Sequence, residues 1–384
     1  MVSPQQKPER NFPEIARGVP QGLQLGLRNY WYPVLQSEEL LAGKPVGFKI
    51  LGEALAAWRD SSGHPHVVRD KCPHRGAKMS AGRVLEGNIQ CAWHGLRFDG
   101  GGKCVMIPWE PDGSKLLSEI SIPAYPAEEL GGYIWAYIGE PEKFAPPPLA
   151  SCVPEELSHP DKFIWFRMPT DIWAANWLQS LESSDGFHAV MLHSDSQAVA
   201  TEEWTGGRPK KVTVPIEKRR MEIVKTSQGY RGVALDPSGN IVHHGHFLEG
   251  WNGERWTLPC LHTIPLRPVP NAAPYASRLF QFPIDEKRTQ SVRFLTWRAT
   301  TEAERSQRRK LWDEIVYQRQ IEVAGEDKAI IETLGDLTDS RSEEFLLHPD
   351  QDIIYVRRKM ADAFFMQREG KRPLPTQDAL AFPV

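Results

Sequence analysis

Cysteine is scarce in this sequence: 384 residues contain five, an odd number. That excludes a disulfide framework. Chemistry at cysteine is expected to be metal ligation or catalysis, with the remaining cysteines as small buried apolar residues. Positive charge is not in excess either. Lysine plus arginine number 46 against 49 acidic residues, a net charge of −3, so a nucleic-acid backbone is excluded as a partner. Long hydrophobic runs are missing: the most apolar stretches, such as GGYIWAYIG at 131–139, are far too short to span a bilayer. The polar start MVSPQQKPERNFPEIARG lacks the apolar core of a secretion signal. A soluble, cytoplasmic protein with no membrane partner is the expectation. What is present, 40% apolar and 25% charged residues, is globular, and the length calls for two domains.

The strongest break is proline-rich. Pro141, Pro146, Pro147, Pro148, Pro154 and Pro160 fall within twenty residues, and three prolines in a row cannot lie inside a helix or a central strand. The expected division is 1–145, a linker over 146–165, and 166–384. The first part reads as all-β, with short β-branched and aromatic runs (VGFKIL, HPHVVRD, YIWAYIG) between turn signals such as SSGHP and FDGGGK. The last part reads as α+β. A helical-looking segment follows Asp171, a series of strands runs from about 210 to 298, and a helix opens at Thr301 with Glu304 three residues on, a capping-box spacing.

The first constellation is Cys72-x-His74, sixteen residues, then Cys91-x-x-His94. Two Cys and two His make a common tetrahedral zinc set. Zinc fingers, however, pair Cys with Cys in one knuckle, whereas here each short loop supplies one Cys and one His. That split suits a two-iron cluster with both Cys on one iron and both His on the other. Gly76 and Gly95 fit tight loops whose N–H groups approach sulfur. With Trp93 and Phe98-Asp99 alongside, the segment resembles Rieske [2Fe–2S] proteins of the oxygenase or ferredoxin kind, without the additional loop cysteines of respiratory members. Cys104, Cys152 and Cys260 have no partner motif and are expected in the core or at the surface.

The second constellation is Asn176-Trp177, Glu182, Asp185-x-x-His188-x4-His193. Two imidazoles and a carboxylate on one face of an octahedron leave open positions at Fe(II). Five residues turn a regular helix through about 500°, roughly 140° from alignment, so the helix must bulge or end between His188 and His193. Asp185 and His188 share a face. Glu326, Asp327, Glu332, Asp336 and Asp339 are the candidate carboxylates in the last third; for Glu326, Glu332 and Asp336 the plainer reading is solvated helix surface.

Both constellations in one chain resemble the oxygenase component of Rieske non-haem iron ring-hydroxylating oxygenases. The run NWLQSLESSDGFHAVMLH and the tail GDLTDSRSEEFLLHPDQDIIYVRR look closest to the phthalate 4,5-dioxygenase and phenoxybenzoate dioxygenase group. The resemblance implies an all-β Rieske domain followed by a helix-grip catalytic domain. It implies one [2Fe–2S] cluster on Cys72, His74, Cys91 and His94, and one mononuclear Fe(II) on His188, His193 and Asp327. Asp185 would then be no ligand but an electron-transfer bridge, linking His188 to His94 of a neighbouring subunit in a homotrimer. The implied partners are O2, an aromatic substrate and an NAD(P)H-dependent flavin and iron–sulfur reductase, with or without a ferredoxin. The implied reaction is aromatic hydroxylation, or alternatively O- or N-dealkylation by a monooxygenase. From a different class, an electron-transfer Rieske protein with a non-catalytic binding domain is the rival.

Three further expectations concern conspicuous side chains. His243, His244 and His246 lie in a strand-like run that lines a pocket or faces solvent rather than binding metal. Trp251, Phe280 and Phe282 are candidates for an apolar substrate pocket. Lys71, Arg75 and Arg97 flank the cluster loops and are candidates for reductase docking.

Overall fold

The computed structural model describes residues 19–111, 113–183, 188, 192–193, 218, 220–226, 229–239, 241–244, 255–268, 272–347, 350–374 and 376. The chain divides into two compact units. Leu25–Pro160 together with Phe282–Glu286 form the first, and the remaining described residues form the second.

The first unit is all-β, as its alternating short runs require. Strands β1 (Tyr30–Gln36), β2 (Val46–Ile50), β3 (Glu53–Arg59), β4 (Pro65–Arg69), β5 (Arg83–Leu85), β6 (Asn88–Gln90), β7 (Arg97–Phe98), β8 (Cys104–Met106), β9 (Ala124–Tyr125), β10 (Ala127–Leu130) and β11 (Tyr133–Ile138) form three antiparallel sheets. Their orders are β1-β11-β10, β2-β3-β4-β9 and β5-β6-β7-β8. YIWAYIG is apolar throughout because β11 is buried at every position, so both of its faces need apolar cover. Its aromatic polar atoms are satisfied locally: Trp135 Nε1 donates to Leu130 O at 3.0 Å and Tyr137 Oη to Phe144 O at 3.2 Å. The proline-rich stretch packs here through short 3₁₀ turns, with Leu149 and Leu157 buried and Pro147 O accepting from Trp31 Nε1 at 2.9 Å. The returning segment Phe282–Glu286 is held by Leu51 N to Pro283 O at 2.8 Å and Gly52 N to Ile284 O at 3.0 Å.

The second unit is α+β. Strands β12 (Phe163–Arg167), β13 (Asp171–Trp173), β14 (Arg220–Thr226), β15 (Gly229–Leu235), β16 (Ile241–His244), β17 (Arg255–Thr257), β18 (Leu261–Leu266), β19 (Tyr275–Asp285) and β20 (Arg288–Arg298) appear in order. The main sheet runs β12-β20-β19-β18-β17, with β13 also paired to β20, and β14-β15-β16 form a separate sheet. The Thr301 helix forms over Glu302–Leu311 with the expected reciprocal cap: Thr301 Oγ1 accepts from Glu304 N at 3.2 Å and Glu304 Oε2 from Thr301 N at 3.1 Å. Glu304 is held down to about 2 by hydrogen bonds from Thr300 and Thr301. A π turn, Trp312–Val316, then leads into the helix Tyr317–Ile331. Its extra residue rotates everything that follows relative to the preceding helix. Among the described residues no helix is long and apolar enough to cross a membrane.

Candidate metal centres

The two Cys–His loops of the first unit repeat one hydrogen-bond pattern. Cys72 N donates to Ala77 O and Gly76 N to Cys72 O, at 2.7 and 2.9 Å; Cys91 N donates to Leu96 O and Gly95 N to Cys91 O, at 2.9 and 3.1 Å. Gly76 and Gly95 both sit at φ 78°, a left-handed conformation that costs glycine little. Each loop therefore closes in six residues and turns its Cys inward. Cys72 and Cys91 are buried among Trp58, Met79, Ile89 and Phe98, whereas His74 is exposed and His94 half-exposed. The two imidazoles are 4.5 Å apart between ring centroids, at 70°. Burial first, and then the neighbouring Cys91, push the Cys72 thiol up to about 11. Two paired sulfurs in that apolar setting become thiolates once a metal supplies positive charge. The four side chains thus fit a cluster with sulfur on its inner side and nitrogen on its outer side.

The outer rim is aromatic. Trp93 stacks on His94 at 4.8 Å, Trp109 Nε1 donates to His94 O at 3.1 Å, and Arg75 lies 4.9 Å over the Trp93 ring. Both indoles are largely exposed, at 56% and 79%. Lys71 and Arg75 are exposed at the surface. Arg97 does not share that setting: its side chain is mostly covered and paired with Glu86 at 2.9 Å. Cys104 and Cys260 are buried core residues and Cys152 is half-buried.

The second site lies within the second unit. Asn176 caps the helix Trp177–Glu182 by accepting from Leu178 N at 3.0 Å, while Gln179 Oε1 accepts from Asn176 N at 3.0 Å. The helix stops at Glu182, before His188, and Leu192 N donates to His188 O at 2.7 Å. Asp185 lies outside the described residues. From the long helix Asp327 meets both imidazoles: Oδ1 is 3.4 Å from His188 Nε2 and 3.0 Å from His193 Nε2. One ligand atom from each of the three lies within 4.8 Å of the others.

The donor chemistry tests whether a cation belongs here. Buried Asp327 Oδ1 accepts no hydrogen bond of normal geometry although it faces two imidazole nitrogens. Glu326 Oε2 lies 2.7 Å from His193 Nδ1, which places the proton of a neutral ring on Nδ1 and a lone pair on Nε2. Lone pairs of Asp327 and His193 then confront each other at 3.0 Å, an arrangement that a shared cation converts from repulsive to attractive.

The other carboxylates have separate work. Glu332 Oε1 accepts from Ala174 N at 2.8 Å and Asp336 caps the helix Leu337–Ser342 through Thr338 N at 2.9 Å; both are exposed, as is Asp339. Glu326 departs from the solvated-surface reading, because it faces buried His193.

Two cavities reach the triad. A narrow one of about 30 Å³ lies between the sheet and the long helix, walled by Trp173, Ile264, Leu266, Leu279 and Val323, with Ser277, Arg293 and Gln320 as polar members. The other, about 360 Å³, meets His188 and Asp327 and is lined by Leu192, Ile330, Leu334 and Leu337 together with Glu182, Arg341, Glu344 and Arg357. Phe280 and Phe282 line neither. They lie in the core, Phe280 against Phe294 at 6.2 Å and Phe282 against Tyr32 at 5.4 Å, because the pocket uses the alternate positions Ser277 and Leu279 of β19. Trp251 and His246 lie outside the described residues, as do the side chains of His243 and His244.

Residues 30–126 match the Rieske [2Fe–2S] domain family. Over 190 residues the chain is 35% identical to the oxygenase subunit of 3-chlorobenzoate-3,4-dioxygenase from Comamonas testosteroni, covering 49% of this chain and 42% of that one. Over 285 residues it is 28% identical to the oxygenase subunit of phthalate 4,5-dioxygenase from Pseudomonas putida, covering 71% and 60%. These alignments span about half the length of the relatives. The oxygenase of carbazole 1,9a-dioxygenase, solved with fluorene and in complex with its ferredoxin, shares the fold at a TM-score of 0.66 and 22% identity, over 94% of this chain and 97% of that one.

Proposed function

We propose that this chain, which carries a Rieske [2Fe–2S] domain and is related to the oxygenase subunits of aromatic dioxygenases, is itself a terminal oxygenase. It would hydroxylate an aromatic substrate with O2 and electrons supplied by a reductase. One observation supports this above all others: a single chain holds paired Cys–His loops and, apart from them in sequence, a convergent His188–His193–Asp327 set. Cys72, His74, Cys91 and His94 would hold the cluster, and His188, His193 and Asp327 the mononuclear iron. When bound, these groups supply one-electron storage and dioxygen activation respectively.

The protein's own part follows from the residues. Asp327 supplies the anionic ligand and offsets part of the metal's charge. Apolar walls beside the triad keep bulk water from the reacting carbon, and the cavity of about 360 Å³ lies within the size range of small-molecule sites. Exposed Trp93 and Trp109 beside His94, with Lys71 and Arg75 near them, offer a docking rim for the protein that delivers electrons. A homotrimer, with Asp185 linking His188 to a neighbouring subunit's His94, completes the reading. Asp185→Asn is then expected to keep both metals and the cluster absorbance while losing turnover; full activity in that variant would remove the bridge.

The direct test is iron analysis followed by product analysis under ¹⁸O₂ with a reductase and a panel of phthalates, diaryl ethers and alkylated aromatics. About three irons per chain and a labelled product are expected. About two irons per chain, with no product from any substrate, would leave an electron carrier and overturn the reading.

A further inference from the structure

We infer that Glu326 is a positioning residue for the mononuclear site, holding His193 in the tautomer and orientation that present its Nε2 atom to the metal. The inference rests on the iron reading above. Its basis is a bracketed ring. His193 is fully buried, with Glu326 Oε2 at 2.7 Å from Nδ1 and Asp327 Oδ1 at 3.0 Å from Nε2. The two carboxylates are consecutive on the helix Tyr317–Ile331, where neighbouring side chains diverge by about 100°. One helix therefore grips opposite edges of the same imidazole, one carboxylate as ligand and the other as hydrogen-bond acceptor.

Two consequences follow. The accepted Nδ1–H fixes the lone pair on Nε2, and the negative charge behind the ring makes that lone pair more basic. The ring also loses freedom to rotate about its Cβ–Cγ axis, so a metal finds the ligand already aimed. Glu326 is partly exposed, at 31% of its side chain, which makes a purely structural role the alternative. The chemistry separates the two. A structural contact acts on stability, whereas a positioning contact acts on metal affinity and on the electronic environment of the metal.

The experiment uses the full chain with its cluster intact and the mononuclear iron removed by mild chelation. Anaerobic Co(II) titration is followed through the cobalt ligand-field bands in wild type, Glu326→Gln and Glu326→Ala. Cluster absorbance and the urea midpoint report folding. Expected is a loss of about 10–100-fold in Co(II) affinity in Glu326→Ala, with shifted bands. Glu326→Gln keeps an acceptor oxygen without the charge, so it should restore the bands while binding more weakly than wild type. If Glu326→Ala fails to fold, Glu326→Gln alone decides, since wild-type affinity in that variant would overturn the inference. Wild-type affinity and bands in Glu326→Ala would also overturn it. Failure of the wild type to take up Co(II) at all would instead sink the iron reading on which it stands.

Discussion

Asp327→Ala is expected to abolish turnover while leaving a protein that still shows full cluster absorbance. The carboxylate is the only anion among the three convergent donors, and two neutral imidazoles alone hold Fe(II) far more weakly than a two-histidine, one-carboxylate set. Iron content should fall from about three to about two per chain, because the cluster ligands do not involve this residue. The selectivity is physical. Cys72 and Cys91 sit in the first unit, in a core built on Trp58, Ile89 and Phe98, and removing a carboxylate from the second unit changes none of those contacts. Cys72→Ser should give the complementary result, with the chromophore gone. Wild-type iron content and turnover in Asp327→Ala would show that the metal, if present, is held by other groups.

How much of this could be read from the chain depended on whether the signal was local. The Cys–His loops were legible because their geometry is closed within six residues each: the same N–H to carbonyl bonds and the same positive-φ glycine recur in both. His188 and His193 were legible as a pair; the bulge or end expected between them falls on residues outside those described, and the helix Trp177–Glu182 stops before His188 is reached. Asp327 came from resemblance alone, since no spacing ties it to residues more than a hundred positions away. Glu326 was read as solvated surface because a helical wheel says nothing about what stands opposite. The π turn Trp312–Val316, which shifts the phase of the helix, has no sequence mark either. Phe280 and Phe282 were misread through choosing the wrong face of β19: the apolar residues were visible, but which alternate set met the helix was not. The salt-bridged group at Glu182, Arg341, Glu344 and Arg357 carried no signal, being drawn from the helices Trp177–Glu182, Leu337–Ser342 and Gln351–Arg368 and the segment between the last two.

That group carries the second large effect. Arg357→Met is expected to destabilise the second unit by about 3–5 kcal/mol, the usual consequence of stranding a buried charge. Arg357 is almost wholly covered, at 4%, and its guanidinium serves two acids. Nε and Nη2 donate to Glu182 at 3.0 and 2.6 Å, and Nη1 and Nη2 to Glu344 at 2.6 and 2.7 Å. Burial alone would lower its pKa, yet the bonds to Glu344 and Glu182 raise it well above the ordinary arginine value. Arg341 also pairs with Glu182, so two cations balance two anions, and methionine restores volume but not that balance. An exposed pair provides the contrast: Lys371 and Glu369 lie 2.6 Å apart but at 61% and 50% exposure, and breaking it should cost less than about 1 kcal/mol. Urea denaturation of Arg357→Met, Glu344→Gln and the double variant measures the coupling. The double should cost less than the sum, because Glu344→Gln removes one of the charges that Arg357→Met strands; simple additivity would deny that the two communicate. Glu182 closes the helix that precedes His188, so loss of its partner should also loosen the approach of that imidazole. Arg357→Met is therefore expected to lower Co(II) affinity at the triad, and restored affinity in the double variant would place the cause in the stranded charge rather than in the lost volume.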